Sequence, residues 1–232
     1  MRLKLCFLLA LLPLWHSGAA NAAVTVGATR LIYDGAANEA NLTISNREDT
    51  SPYLVQSWVS RFGSGNDESV DSFIVTPPLF RLDANKENIL RIIFTGGAQV
   101  PLDRESLFLM NVKAIPAMSD DQKGKNVLQI ALKTTIKLFY RPAGLKASLK
   151  DAVAQVKWNA HAGALAFTNA SKLHVVVSEL KLNGQPITQA PDVLYPGEHK
   201  ELPIQAKAGD ELALSYIDDY GSTVEAPLIH LN

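Results

Sequence analysis

The feature that most constrains this chain is Asn126 to Pro142, NVLQIALKTTIKLFYRP, where apolar and polar residues alternate over an unusually long run. Leu128, Ile130, Leu132, Thr134, Ile136, Leu138 and Tyr140 share one parity, while Gln129, Lys133, Thr135, Lys137 and Arg141 share the other. That is the period of a β-strand and not of a helix. Extended at roughly 3.3 Å per residue, Leu128 to Tyr140 would reach about 40 Å, against about 17–20 Å for an ordinary strand. A strand that long outruns its neighbours and leaves apolar side chains, and an edge of N–H and C=O groups, open to pairing with a second chain. The same alternation also suits a central strand packed into its own core, and parity does not separate the two readings.

Met1 to Ala22, MRLKLCFLLALLPLWHSGAANA, reads as a secretory signal: Arg2 and Lys4 precede an apolar core, and Ala20-Asn21-Ala22 offers a small-x-small cleavage site. Its apolar core, Leu5 to Trp15, is shorter than the about 20 residues that span a bilayer, and no later run approaches that length. The expectation is an exported protein without membrane insertion. Without those 22 residues 210 remain, which suits two domains of roughly a hundred each. Cys6, the single cysteine, lies in the signal, so no disulfide is expected in the mature chain despite its oxidising destination. Removing the signal leaves 20 basic against 23 acidic residues, a net charge of −3, which gives no general attraction to nucleic acid or acidic membranes. Asn41-Leu42-Thr43 and Asn169-Ala170-Ser171 match the short glycosylation pattern and read as chance matches.

In chain order, Ala23 to Tyr33 reads as one opening strand, followed by strands at Asn41 to Asn46, Tyr53 to Val59 and Phe73 to Thr76. Pro77-Pro78 stops the last of these, because a proline ring removes a ladder donor. Ile89 to Phe94 and Leu107 to Ile115 precede the long strand. The run Arg141-Pro142-Ala143-Gly144 then punctuates the chain, and the domain boundary is placed there: 23–142 and 143–232. Further strands are expected at Ala154 to Asn159, Ala164 to Asn169, His174 to Leu182 and Glu211 to Ile217, with Asn183-Gly184 as a hairpin turn. Strands parted by polar turns predict an all-β protein of two sandwiches.

Catalytic chemistry finds little support. His161, His174, His199 and His230 are scattered, with no close metal-ligand spacing, so no metal and no cofactor is expected. Neither a G-x-S-x-G elbow nor a phosphate-binding loop occurs, and Gly63-Ser64-Gly65 reads as a turn. The acidic pairs Asp120-Asp121 and Asp218-Asp219 fall in turns. Single basic residues such as Arg30 and Lys137 would ordinarily be solvated surface charges.

Several stretches together resemble the PapD-like periplasmic pilus chaperones. TRLIY (Thr29–Tyr33), PYLVQSWV (Pro52–Val59), TPPLFRL (Thr76–Leu82), DRESLF with NVKAIP (Asp103–Pro116) and IKLFYRP (Ile136–Pro142) match the family's first domain. FTN (Phe167–Asn169), SELKLNG (Ser178–Gly184) and YIDDYG (Tyr216–Gly221) match its second, in order. The resemblance implies two immunoglobulin-like sandwiches in a boomerang arrangement. It implies that Arg30 and Lys137 lie in the cleft and grip the C-terminal carboxylate of a pilus subunit. It gives Leu128, Ile130 and Leu132 the role of donor-strand residues, and Glu105, Arg141 and Asp219 that of a charged trio fixing the angle between domains. Implied partners are fimbrial subunits and an outer-membrane usher, with self-association open to the free protein. The short stretch after Ile115 is similar to the short-loop subclass. Leu109 and Met110 depart from commonly aromatic positions, Asp218 from asparagine and Ser222 from glycine. Competing readings are a fimbrial subunit or adhesin, disfavoured by the missing cysteine pair, and a secreted hydrolase on a β-sandwich, disfavoured by the missing nucleophile motif.

Overall fold

The computed structural model describes residues 23–65, 67–97, 100–118 and 124–232. The signal at Met1 to Ala22, with Cys6, lies outside the described residues. So do Asp120-Asp121 and the middle of the stretch on which the short-loop reading rests. Among the described residues no helix is long and apolar enough to cross a membrane.

Among the described residues nine strands precede residue 142: β1 (Val24–Val26), β2 (Arg30–Asp34), β3 (Ala40–Asn46), β4 (Tyr53–Arg61), β5 (Phe73–Thr76), β6 (Leu79–Leu82), β7 (Glu87–Phe94), β8 (Ser106–Pro116) and β9 (Leu132–Arg141). They form two sheets, ordered β1-β3-β7-β5 and β2-β9-β8-β4-β6. The core lies between them, where Ile44, Leu90 and Ile92 of the first meet Val55, Met110 and Leu138 of the second. Met110, one of the departures from an aromatic position, is fully buried here and fills the space.

The rest of the chain begins with helix α1 (Leu149–Ala154) and continues through β10 (Val156–His161), β11 (Ala164–Asn169), β12 (Val175–Leu182), β13 (Gln185–Pro186) and β14 (Val193–Leu194). It ends with β15 (His199–Gln205), β16 (Glu211–Ile217), β17 (Thr223–Glu225) and β18 (Ile229–His230). One sheet is β10-β11-β15; the other is β13-β12-β16-β17, with β14 also on β12 and β18 on β16. Among the described residues no strand pairing joins β1–β9 to β10–β18. The two sandwiches instead meet through a small apolar cluster of Leu107, Phe139, Val176 and Val193, flanked by Ile32, Phe62 and Ile217.

Three sequence expectations change. The opening segment is two strands, not one: β1 pairs with β3 in one sheet, and β2 pairs with β9 in the other. The crossing lies at Gly27–Thr29, where Gly27 N–H still donates to Thr43 O at 2.9 Å before the chain leaves that sheet. The strand expected from Ala154 begins at Val156, because α1 occupies the residues before it. Ser148 caps α1: its Oγ accepts from Asp151 N at 3.1 Å and donates to the Asp151 carboxylate at 2.6 Å, a side-chain arrangement akin to a capping box.

The long strand is also shorter than its alternation suggests. β9 starts at Leu132, leaving Leu128 and Ile130 outside any strand. Its ladder to β8 ends at the pair Ala114–Leu132, while Ile115 and Pro116 pair with β4 alone. Proline has no N–H to offer, so the partner strand is ending where β9 would need it.

The Asn183-Gly184 turn is present as expected. Leu182 opposes Gln185 across it, and both turn residues take positive φ, 50° and 79°, the signature of a two-residue type I′ hairpin. Asn169, at one glycosylation match, is fully buried and donates through Nδ2 to Leu173 O and Leu194 O, each at 3.0 Å. A sugar has no room there.

Candidate functional site

The two halves of β9 have different surroundings. On one side β8 pairs with it throughout, from Leu132 to Tyr140. On the other side β2 pairs with it only from Lys137 to Arg141, in parallel, with Arg30 beside Lys137. From Leu132 to Ile136 that second edge carries no strand among the described residues. The apolar parity also changes along the strand, but not at the same point: Ile136, still on the open part, is buried with Leu138 and Tyr140, whereas Leu132 is 63% exposed. Ahead of the strand, Ile130 is 61% exposed and Leu128 87%. Packing of these three into their own core is therefore not what the structure has. The apolar positions Ala23, Val24, Val26, Val112 and Ala114 line a hollow beside Ile130 and Leu132.

The opposite parity of β9 faces away from its own core. Phe139 enters the cluster between the sandwiches, and Arg141 and Lys137 reach residues of the second sandwich. Thr135 Oγ1 donates to Asn111 Oδ1 at 2.9 Å, and Lys133 pairs with Asp67 of the β4–β5 loop.

Arg30 and Lys137 stand side by side because they are register partners in a parallel ladder, whose strands lie about 4.7–4.9 Å apart. Each cation sits over an aromatic ring, Arg30 5.8 Å from the centroid of Phe139 and Lys137 5.9 Å from that of Phe62. Arg30 Nη1 donates to Ile217 O at 3.2 Å, while its Nε is buried with no partner. Burial lowers the Arg30 pKa, and the negative charges of Asp219, Asp218, Asp192 and Glu105 oppose that effect. The guanidinium remains charged and under-bonded. Lys137 Nζ lies 3.0 Å from Asp192 Oδ2, a partner that sequence reading did not identify.

The trio comes together at the joint. Arg141 Nε donates to Glu105 Oε2 at 2.7 Å, and its two terminal nitrogens grip both oxygens of Asp219 at 2.7 and 2.6 Å. Burial works against the Arg141 charge, but the hydrogen bonds and charges of Asp219 and Glu105 outweigh it and raise the pKa. Glu105 has no exposed side-chain surface. Its other oxygen accepts from the backbone N–H of His174 at 2.9 Å and lies 3.0 Å from His174 Nδ1. His174 is thus a fourth member of this network, 69 positions away in sequence and without any local signal. Asp218 substitutes well for asparagine, since Oδ1 accepts from Tyr220 N at 2.9 Å and Ser222 N at 2.8 Å. That turn needs Gly221, whose φ of 88° and close approach to Thr29 leave no place for a Cβ.

Residues 23–146 match the family model described as "Pili and flagellar-assembly chaperone, PapD N-terminal domain", and residues 151–227 that of "Pili assembly chaperone PapD, C-terminal domain". The chain belongs to the PapD family of pilus assembly chaperones. This chaperone is 42% identical over 204 residues to the probable fimbrial chaperone LpfB of Escherichia coli O157:H7, spanning 87% of this chain and 86% of that protein. To the chaperone protein FimC of Escherichia coli strain K12 it is 37% identical over 206 residues, spanning 89% and 83%. Among solved structures it is similar to the E. coli chaperone DraB, with a TM-score of 0.76 and 32% identity over 90% of this chain and 96% of that one. A similar likeness, TM-score 0.75 and 31% identity over 90% and 96%, links it to the Salmonella enterica SafA pilin in complex with the SafB chaperone. The PapD-like fold of two immunoglobulin-like sandwiches is accordingly that of this chaperone.

Among the described residues no group of three or more His, Cys, Asp or Glu side chains is placed to hold a metal ion. His161 lies 2.6 Å from Glu201, and His199 2.8 Å from Thr168, both on the exposed face of the second sandwich.

Proposed function

We propose that this chaperone works in the periplasm, where it holds pilus subunits by lending them β9 together with the exposed segment before it, and passes them to an outer-membrane usher. Strand addition is a recognised mode of chaperone and pilin association, and comes here from the family rather than from these residues. The observation that carries it to this chain is the open edge of β9, which ends where Arg30 and Lys137 stand. A guest strand on that edge would continue the line of β2 and run parallel to β9, as β2 does. Its last residue would meet the first residue of β2, which brings a terminal carboxylate to the two cations.

The chemistry fits each residue. Arg30 has an under-bonded guanidinium that can give a carboxylate two parallel hydrogen bonds, and Lys137 adds a second charge. Leu128, Ile130 and Leu132 present apolar side chains two residues apart, the spacing that fills one face of a guest. Each is worth about 1.5–3 kcal/mol when fully buried, so together they would supply several kcal/mol. Main-chain hydrogen bonds along the edge would add affinity independent of guest sequence. The trio of Glu105, Arg141 and Asp219 would hold the cleft at one angle, the use for which a buried ion network is best suited. The division at residues 142 and 143 follows from Pro142 ending β9. No chemical step and no cofactor enters this reading, and until a guest arrives the same edge is open to a second copy of the chain.

The test is charge reversal at the anchor. Lys137→Glu, co-expressed with a pilus subunit, should be exported and folded yet recover at least tenfold less subunit from the periplasm. Undiminished recovery would remove the anchor from the account.

A further inference from the structure

Lys137 already has an anion. Asp192 reaches it from the second sandwich, Oδ2 to Nζ 3.0 Å, with the lysine side chain 24% exposed and the aspartate 66%. The aspartate backbone is fixed on both sides of that contact. Its carbonyl accepts from Val177 N at 3.0 Å, and the next residue, Val193, is buried in the cluster between the sandwiches. The same carboxylate also bears electrostatically on Arg30. One side-chain carboxylate thus pairs with Lys137, and acts through its charge on Arg30, the two cations that the proposed anchor assigns to a guest's terminal carboxylate.

We infer that Asp192 is a stand-in for the guest's carboxylate: it occupies Lys137 while the cleft is empty, and yields it when a subunit's terminus arrives. The inference rests on the anchor reading above. Asp192 can yield readily, because a carboxylate already mostly in water regains its remaining hydration at little cost. A chain terminus has an advantage over it. Among the described residues Arg30 has no ion-pair partner of its own and is held through Nη1 by a backbone carbonyl, so a terminus placed between the two side chains can engage both cations where Asp192 pairs with one. With Asp192 in place the three groups carry a net single positive charge, which one terminal carboxylate neutralises. Without it the cleft holds two cations and draws in anions less selectively.

Competition of this kind weakens guest binding by the strength of the internal pair, about two- to sixfold for an exposed ion pair. The probe is a labelled peptide of alternating apolar and polar residues with a free C-terminal carboxylate, together with its C-terminally amidated twin. Both are titrated against the full mature chain by fluorescence anisotropy. Asp192→Asn should bind the acid peptide about two- to sixfold more tightly. The amidated peptide should bind this variant as it binds the unaltered protein. Asp192→Glu should restore the original affinity, and the gain should vanish in a Lys137→Met background. Unchanged or weaker binding of the acid peptide by Asp192→Asn, with the acid still preferred over the amide, overturns the stand-in while leaving the anchor intact. Equal binding of acid and amide by the unaltered protein overturns both.

Discussion

Two halves of one strand, alike in sequence pattern, have opposite fates. From Lys137 to Tyr140, β9 has β2 on one side and β8 on the other, and its inward residues Leu138 and Tyr140 are buried. From Leu132 to Ile136 it has β8 alone, and Leu132 stands in solvent. The residues do not decide the difference, since Leu132 and Leu138 are the same side chain on the same face. What decides burial is place in the sandwich, since Ile136 and Leu138 pack against the opposing sheet while Leu132 is the last pair of the β8 ladder; what decides the edge is where β2 begins. A strand that enters the sheet only at Arg30 seals what lies beyond and leaves an edge before it, and it sets a cation at the point of change. A sheet edge normally invites aggregation and is protected by charge or cover; here the edge is left open beside exposed Leu132, as the proposed strand addition requires.

The sealed half should give the largest effect. Leu138→Ala removes a fully buried leucine from the core and should cost about 2–5 kcal/mol of unfolding free energy in urea titrations. The open half should instead show its effect in binding. Ile130→Asp puts a charge where a guest's apolar pocket would close, and loss of about 1.5–3 kcal/mol of burial corresponds to at least tenfold weaker subunit binding. Its thermal midpoint should stay that of the unaltered protein, because Ile130 is 61% exposed and belongs to no strand. The smallest expected effect is the sharpest probe of the comparison. Leu132→Ala should change stability by no more than about 0.5 kcal/mol, as substitutions at exposed positions do. Should Leu132→Ala and Leu138→Ala cost the same, the two halves of β9 are alike and the contrast drawn here is wrong.

Much of this was legible in the sequence, because the relevant signals are local. The alternation from Leu128 to Tyr140 marks the strand's face, and Pro142 marks its end. The Asn183-Gly184 turn could be placed for the same reason, its φ values being ones that few residue pairs accept. Ser148-x-x-Asp151 was an equally local sign of α1 and could have been used. The start of β9 was not legible, because it depends on Pro116 ending the partner strand, and a strand's length is set by its neighbours as much as by its own pattern. The crossing at Gly27–Thr29 did leave a mark, a change of parity from Val24 and Val26 to Leu31 and Tyr33, which could have been used. Arg30 and Lys137 could be named through resemblance, but Asp192 and His174 could not. Asp192 meets Lys137 only once two sandwiches are docked, and His174 reaches Glu105 on the same condition.

Backbone amide hydrogen exchange on the full mature chain, with and without the free-carboxylate peptide, tests the central claim most directly. The account predicts that outward-facing amides from Leu128 to Ile136 exchange rapidly in the free protein and become protected when the peptide binds, while those from Lys137 to Arg141 are protected in both states. Protection of those outward-facing amides before any peptide is added, or peptide-induced protection confined to other strands, would contradict it.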